Sequence, residues 1–306
     1  MFKKKTKLTQ NLVYMSVMAA INAALSLLSC INGLSGFFSA FVIILLPVIS
    51  ALVTIFCQKK YYPLYFVATF AVCFLSTFFL DPTFSLFAVF PSLITGFLFG
   101  LLLEKNYDPI FPLLYCALIQ FLLNIATIPL INFITKTDLT QIFINILALT
   151  EKGDLGYQIL PSFILLISFI EMTFTFIVIS KCLEKLGIAK EQKIKMHPWV
   201  FNGNFLILIL GVLIFSILKN FMISLIFFFL SIFMTFYYFT ILLDSKNKVA
   251  FIIYFLNLLI AIILFIALYK IVPQPYGLLI ITTWPDLVFL QKIITDIYSI
   301  LKKKNI

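Results

Sequence analysis

The chain has 306 residues, of which 63% are hydrophobic and only 11% charged, and its mean hydropathy is +1.14. A water-soluble domain of this size does not keep so few charges, so composition excludes a soluble enzyme and points to an all-α, polytopic integral membrane helix bundle. The formal charge of +10 rests on 22 basic residues, every one a lysine.

Apolar runs long enough for roughly 30 Å of hydrocarbon fall at 11–31, 37–57, 61–80, 83–103, 110–133, 159–181, 203–218, 220–242 and 249–270. A shorter run at 276–291 carries Pro285 and Asp286 and reads as a re-entrant or irregular tenth span. The opening Met-Phe-Lys-Lys-Lys-Thr-Lys has the charge of a signal peptide, but no Ala-x-Ala-like site precedes a polar region, so the expectation is an uncleaved first span. In that span Ser16, Ala20 and Ala24 recur every four residues, and Ala19 and Ala23 repeat the spacing one residue round. A lipid-facing helix has no reason to avoid Leu and Phe, whereas close approach of another helix requires small residues. The stripe therefore reads as a docking surface; the alternative is packing within the chain's own bundle.

Span four carries a second stripe, Ser92, Gly96 and Gly100, read as helix packing. Pro47, Pro91, Pro129 and Pro161 lie in or at the ends of spans, where bends free backbone carbonyls. Between spans five and six, residues 137–148 place Leu139, Ile142, Phe143, Ile146 and Leu147 on one helical face, with Thr137 or Asp138 as N-cap. Too short to span, this helix either lies on the outer surface or closes a cavity as a lid.

Lysine placement sets the topology. With Lys3, Lys4, Lys5 and Lys7 inside and ten runs crossing, only Lys136, Lys152, Lys219 and Lys270 are outside, 4 against 18. The outer loops instead hold Asp81, Asp138, Glu151 and Asp154. Both termini are then cytoplasmic and the positive charge faces anionic lipid, not nucleic acid. The single histidine, His197, precedes Pro198-Trp199 at an interface and reads as an anchor neighbour, since a proton relay needs partners inside the membrane.

Few intramembrane residues are capable of chemistry. Glu171 in span six is the only acidic residue deep in an apolar run, and its burial costs several kcal/mol unless it is protonated, paired or wet. Asn22, Gln120, Asn124 and Asn257 are the other costly groups, with Gln120 and Asn124 one turn apart on one face. Glu171, Asn22, Gln120 and Asn124 are the candidate substrate-binding residues; the alternative for each is a bond to a neighbouring helix. The five cysteines form no CxxC and meet no histidine cluster, so neither a metal site, a cofactor nor a disulfide framework is expected. There is no phosphate loop, no His-Glu-x-x-His and no Ser/His/Asp set. The chain does not read as an enzyme: a lipid-modifying site would have to join Glu171 to His197, which belong to different depths.

The Lys-rich leader, the small-residue stripe, Leu-Leu-Pro in span two, the Lys-Lys-Tyr-Tyr turn and Phe-Pro-Ser-Leu-Ile-Thr-Gly-Phe-Leu-Phe-Gly in span four together resemble the YybS-like family of bacterial membrane proteins. His197-Pro198-Trp199 and the closing Gly277…Pro285-Asp286-Leu-Val-Phe extend the resemblance over nearly the whole chain, with Lys292 where that family's arginine is expected. The family in turn resembles the substrate-binding S components of energy-coupling factor (ECF) vitamin transporters. This resemblance implies an S-component-like domain at 1–181 with an outer loop at 134–158, a basic connection at 182–202 and additional helices at 203–306. It implies that Ser16, Ala19, Ala20, Ala23 and Ala24 dock on a transmembrane coupling subunit carrying two ATPases, and that spans one to six capture a vitamin or similar small solute. The rival expectation is a non-transporting scaffold for an envelope, division or signalling complex.

Overall fold

The computed structural model describes residues 7–31, 36–105, 110–136, 138–146, 154–185, 198–245, 248–269, 271–272 and 276–304. Among them every regular element is helical: α1 (Leu8–Cys30), α2 (Gly36–Phe56), α3 (Tyr62–Thr77), α4 (Pro82–Phe84), α5 (Phe90–Glu104), α6 (Ile110–Thr135), α7 (Leu139–Ile146), α8 (Asp154–Lys185), α9 (Pro198–Ile217), α10 (Phe221–Ser245), α11 (Lys248–Leu268) and α12 (Thr283–Lys304). Among the described residues seven helices are long and apolar enough to cross a membrane, with α4 and α5 joined into one of them, Pro82–Glu104. The molecule is a polytopic membrane helix bundle, in which intrahelical bonding satisfies the backbone where no water can.

Two compact units divide the chain, residues 1–147 with 163–195 and residues 148–162 with 196–306. One boundary falls inside α8, whose first residues belong to the second unit, and another falls between residues 195 and 196. In the first unit the tightest contact is α2 on α5. A Cβ added to Gly96 would lie 2.5 Å from Ser50 Cβ and 2.6 Å from the Pro47 carbonyl oxygen. One added to Gly100 would lie 2.7 Å from Thr54 Cβ and 2.8 Å from the Ala51 carbonyl oxygen. The glycines thus bring two backbones together at the proline of α2. Tyr62 fastens α3 to α5, donating its hydroxyl to the Leu93 carbonyl at 2.6 Å and stacking on Phe97 with centroids 4.3 Å apart.

Between α4 and α5 the helix widens into a π turn, Ser85–Val89, in which the Phe90 N–H reaches the Ser85 carbonyl. Pro91 follows immediately; it has no N–H and its ring would strike the carbonyl of Phe87, so the extra residue relieves both faults. The short helix α7 is capped by Asp138, whose Oδ1 accepts from the Gln141 N–H at 3.1 Å, while Thr137 lies outside the described residues. Its face differs from the predicted one: Ile144 is buried, Leu139 and Phe143 are half-buried, and Ile142 is exposed. Phe143 packs on Phe87 of the π turn, centroids 5.4 Å apart, which rotates the helix away from the periodicity of its own sequence.

The second unit is built on α9 to α12. A tight turn joins α9 to α10: Lys219 adopts φ 57°, the Asn220 N–H returns to the Phe215 carbonyl at 2.9 Å, and the Asn220 side chain caps Ile223 at 3.2 Å. The last apolar run is only the opening of a longer helix. A 3₁₀ segment, Tyr276–Thr282, leads into α12, where Pro285 sits in the first turn and makes no demand on its missing N–H. Too polar to qualify as a span by composition, α12 is accommodated by polar partners on its neighbours. Asn257 donates to Gln291 at 2.9 Å, and Gln291 donates to the Ala250 carbonyl. Lys292, only 7% exposed, pairs with Asp296 one turn on, and Asn202 of α9 donates to Asp296 at 2.9 Å.

Candidate functional site

In the first unit, three helices meet at a buried chain of polar side chains. Glu171 of α8 and Gln120 of α6 are each 1% exposed, and Gln120 Nε2 donates to Glu171 Oε2 at 2.9 Å. With its amide nitrogen committed, Gln120 turns Oε1 towards α5 and accepts from the Thr95 hydroxyl at 2.6 Å. The Thr95 hydroxyl also lies 2.9 Å from the Pro91 carbonyl, so one proton is shared between two acceptors. Thr175 donates to the Glu171 backbone carbonyl at 2.8 Å, one turn behind the acid.

Glu171 makes no ion pair among the described residues; its carboxylate faces the Gln120 amide. The cluster thus holds donors and acceptors of both kinds but no fixed cation among the described residues. Asn124 follows Gln120 by one turn, is 2% exposed, and its Oδ1 has no hydrogen-bond partner. Asn22 stands apart: Nδ2 donates to the Tyr65 hydroxyl of α3 at 2.9 Å, and Oδ1 is unpartnered. The structure therefore joins Glu171 directly to Gln120, puts Asn124 on the adjoining turn, and gives Asn22 to a separate contact between α1 and α3. Asn257, the remaining predicted polar group, bonds Gln291 in the second unit.

Sequence reasoning missed Thr95 and Tyr65. Thr95 lies inside the Ser92-Gly96-Gly100 segment, where small residues signal packing, and its Oγ1 becomes visible as a link only once α6 is beside it. Tyr65 follows the interfacial Lys-Lys-Tyr-Tyr turn, yet it is 2% exposed and forms part of the core. Ser26, Thr69 and Ser92 add buried, unpartnered hydroxyls to the same unit.

On α1, Asn11, Met15, Asn22 and Ser26 form the buried face. Asn11 Oδ1 accepts from the Gln58 N–H at 2.8 Å, fixing the start of α1 to the end of α2. Ser16, Ala20 and Ala24 are exposed, while Ala19 and Ala23 are half-buried against the core. Ser16 and Ala20 form one wall of an apolar groove of about 410 Å³, whose other wall is Leu64, Ala68 and Val72 of α3.

No two of the five cysteines are joined in a disulfide, and no group of three His, Cys, Asp or Glu residues gathers among the described residues. His197 lies outside them. Compared with protein-family models, curated proteins and solved structures, the chain matches none.

Proposed function

We propose that this protein is a YybS-like, S-component-like subunit of an ECF-type transporter, capturing a vitamin or similar small solute with energy from partner ATPases. On this reading it crosses a bacterial plasma membrane nine or ten times with both termini cytoplasmic, and its inner lysines meet anionic lipid. The observation that carries the reading is the orientation of α1. Helices in a membrane bundle turn their smallest residues inward, because small residues permit close contact. Here Met15 and three polar side chains face inward, while Ser16, Ala20 and Ala24 are exposed. A flat outer face, with the groove beside it, fits a helix of a second protein, the coupling subunit. Glu171, Gln120 and Asn124, with Thr95 added, are the residues assigned to the solute; Asn22 takes part through the α1–α3 contact.

Ala20→Trp tests docking. The exposed site tolerates the ring, so the solubilised protein keeps its melting midpoint, while co-purification of the coupling subunit and two ATPases falls to background. Undiminished recovery of those partners removes docking from α1, and recovery of division or envelope proteins without ATPases favours a scaffold. Glu171→Gln tests the solute site. The amide is close in size to the acid and retains one acceptor for Gln120, so expression is preserved. Uptake falls about tenfold, the equivalent of ~1.4 kcal/mol for one lost hydrogen bond to a charged or acidic group. Full uptake by that variant assigns Glu171 to packing alone.

A further inference from the structure

One end of the second unit holds an arrangement that the transport reading does not use. There α9 begins, α10 ends, α11 begins and α12 ends, so polar residues from antiparallel helices collect at one level. Asn202 lies four residues from the start of α9 and Tyr238 seven from the end of α10, roughly 6 to 10 Å from the helix ends at 1.5 Å per residue. In a membrane-embedded bundle this is the depth at which headgroups give way to acyl chains.

At that level Lys292 contacts both carboxylate oxygens of Asp296, and Asn202 Nδ2 donates to Asp296 Oδ2. The Lys292 ammonium also lies 5.6 Å from the centre of the Phe201 ring and 6.0 Å from that of Tyr238. Two oxygens beside the pair are open to a donor. One is the hydroxyl of Tyr238, a residue 1% exposed whose own proton faces Thr295; the other is Asn202 Oδ1, which has no hydrogen-bond partner. An amide oxygen only accepts, so the group that completes this site carries N–H or O–H donors.

Charge narrows the choice. The Lys292–Asp296 pair is neutral overall, and the lysine side chain is 9% exposed against 25% for the aspartate. A lone cation would add net charge where desolvation is costly, and a lone anion would meet the Asp296 carboxylate and the Asn202 amide oxygen. A ligand bearing both signs exchanges one internal ion pair for two intermolecular ones and leaves the site neutral.

We propose that this end of the α9–α12 bundle binds a zwitterion in which a primary ammonium stands close to a phosphate, the chemistry of a phosphatidylethanolamine headgroup or of free phosphoethanolamine. The ligand enters on the more exposed Asp296 side. Its ammonium replaces that of Lys292 on Asp296 and donates to Asn202 Oδ1 and the Tyr238 hydroxyl. Its phosphate receives the released Lys292 ammonium, and the Phe201 and Tyr238 rings face whichever cation is nearer.

The test uses the full chain in nanodiscs of equal parts phosphatidylethanolamine, phosphatidylcholine and phosphatidylglycerol, released into detergent and examined by native mass spectrometry. Phosphatidylcholine carries the same charges without an N–H, so a preference for phosphatidylethanolamine reads the donors directly. The expected preference is about tenfold, the scale of one or two hydrogen bonds. Tyr238→Phe keeps the ion pair and the ring and loses one acceptor, and it lowers the preference severalfold; Asn202→Ala acts in the same direction should Tyr238→Phe fail to fold. A parallel arm titrates phosphoethanolamine against the protein in phosphatidylcholine and phosphatidylglycerol nanodiscs. A rise in melting midpoint that Tyr238→Phe abolishes identifies the free zwitterion as ligand. Equal retention of the lipids with no response to phosphoethanolamine overturns the proposal, as does a preference that both variants leave unchanged.

Discussion

Asp296→Ala destabilises the second unit by about 3 kcal/mol, the lower end of the range for breaking a buried ion pair. The lower end applies because the Asp296 side chain keeps 25% of its exposure, whereas that of Lys292 keeps 9%. Removing the carboxylate strands the lysine between Phe201 and Tyr238 and also deprives Asn202 of its acceptor. Lys292→Met with Asp296→Ala recovers most of the loss, since no charge is then left among the helices. Thermal melting of the solubilised chain and its two variants checks this, with the double variant nearer to the parent than the single one. Equal melting of all three would put the pair in the class of Lys59–Glu104. There the Lys59 side chain is 42% exposed, and a contact of 3.0 Å contributes about 0 to 1 kcal/mol.

That pair also marks where sequence stops being informative. Read linearly, Lys292 is one more basic residue next to an apolar run and counts towards an inner-face total. Its ammonium lies 5.6 Å from the ring of Phe201, a residue far earlier in the chain. The same dependence on distant residues concealed the extent of α12: the run at 276–291 reads as an irregular tenth span, whereas the helix continues to Lys304 with its polar residues bonded to Asn202, Asn257 and the Ala250 carbonyl. Apolar length was legible because a membrane imposes it segment by segment, and so most of the helices fall on the predicted runs. The cost of burying Glu171, Gln120 and Asn124 was legible for the same local reason. Their partners were not: Gln120 bonds Thr95 and Glu171, while Asn22 bonds Tyr65, and no spacing within one helix encodes a bond between two. The π turn at Ser85–Val89 was signalled only indirectly, by a proline whose ring would collide with the preceding turn.

Gly96→Val separates α2 from α5 and costs about 1 to 3 kcal/mol or somewhat more, the overpacking range. The added Cβ would lie 2.6 Å from the Pro47 carbonyl oxygen and 2.5 Å from Ser50 Cβ, and the first of these is backbone that no rotamer change can move. Relief requires a shift of one helix, and that shift carries Thr95 with it, the residue immediately before Gly96. The Thr95 hydroxyl holds Gln120 Oε1 at 2.6 Å, so Glu171 loses the orientation of its amide partner as well. The expected result is a lower melting midpoint, accompanied on the proposed transport reading by a loss of solute uptake greater than the fall in folded protein. Gly203→Ala supplies the control: a Cβ there meets nothing within 4 Å, and the stronger helix propensity of alanine leaves stability unchanged or raised by up to about 1 kcal/mol. A Gly96→Val protein that melts with the parent yet still loses uptake would mean that the glycine serves the site directly and not through the spacing of α2 and α5.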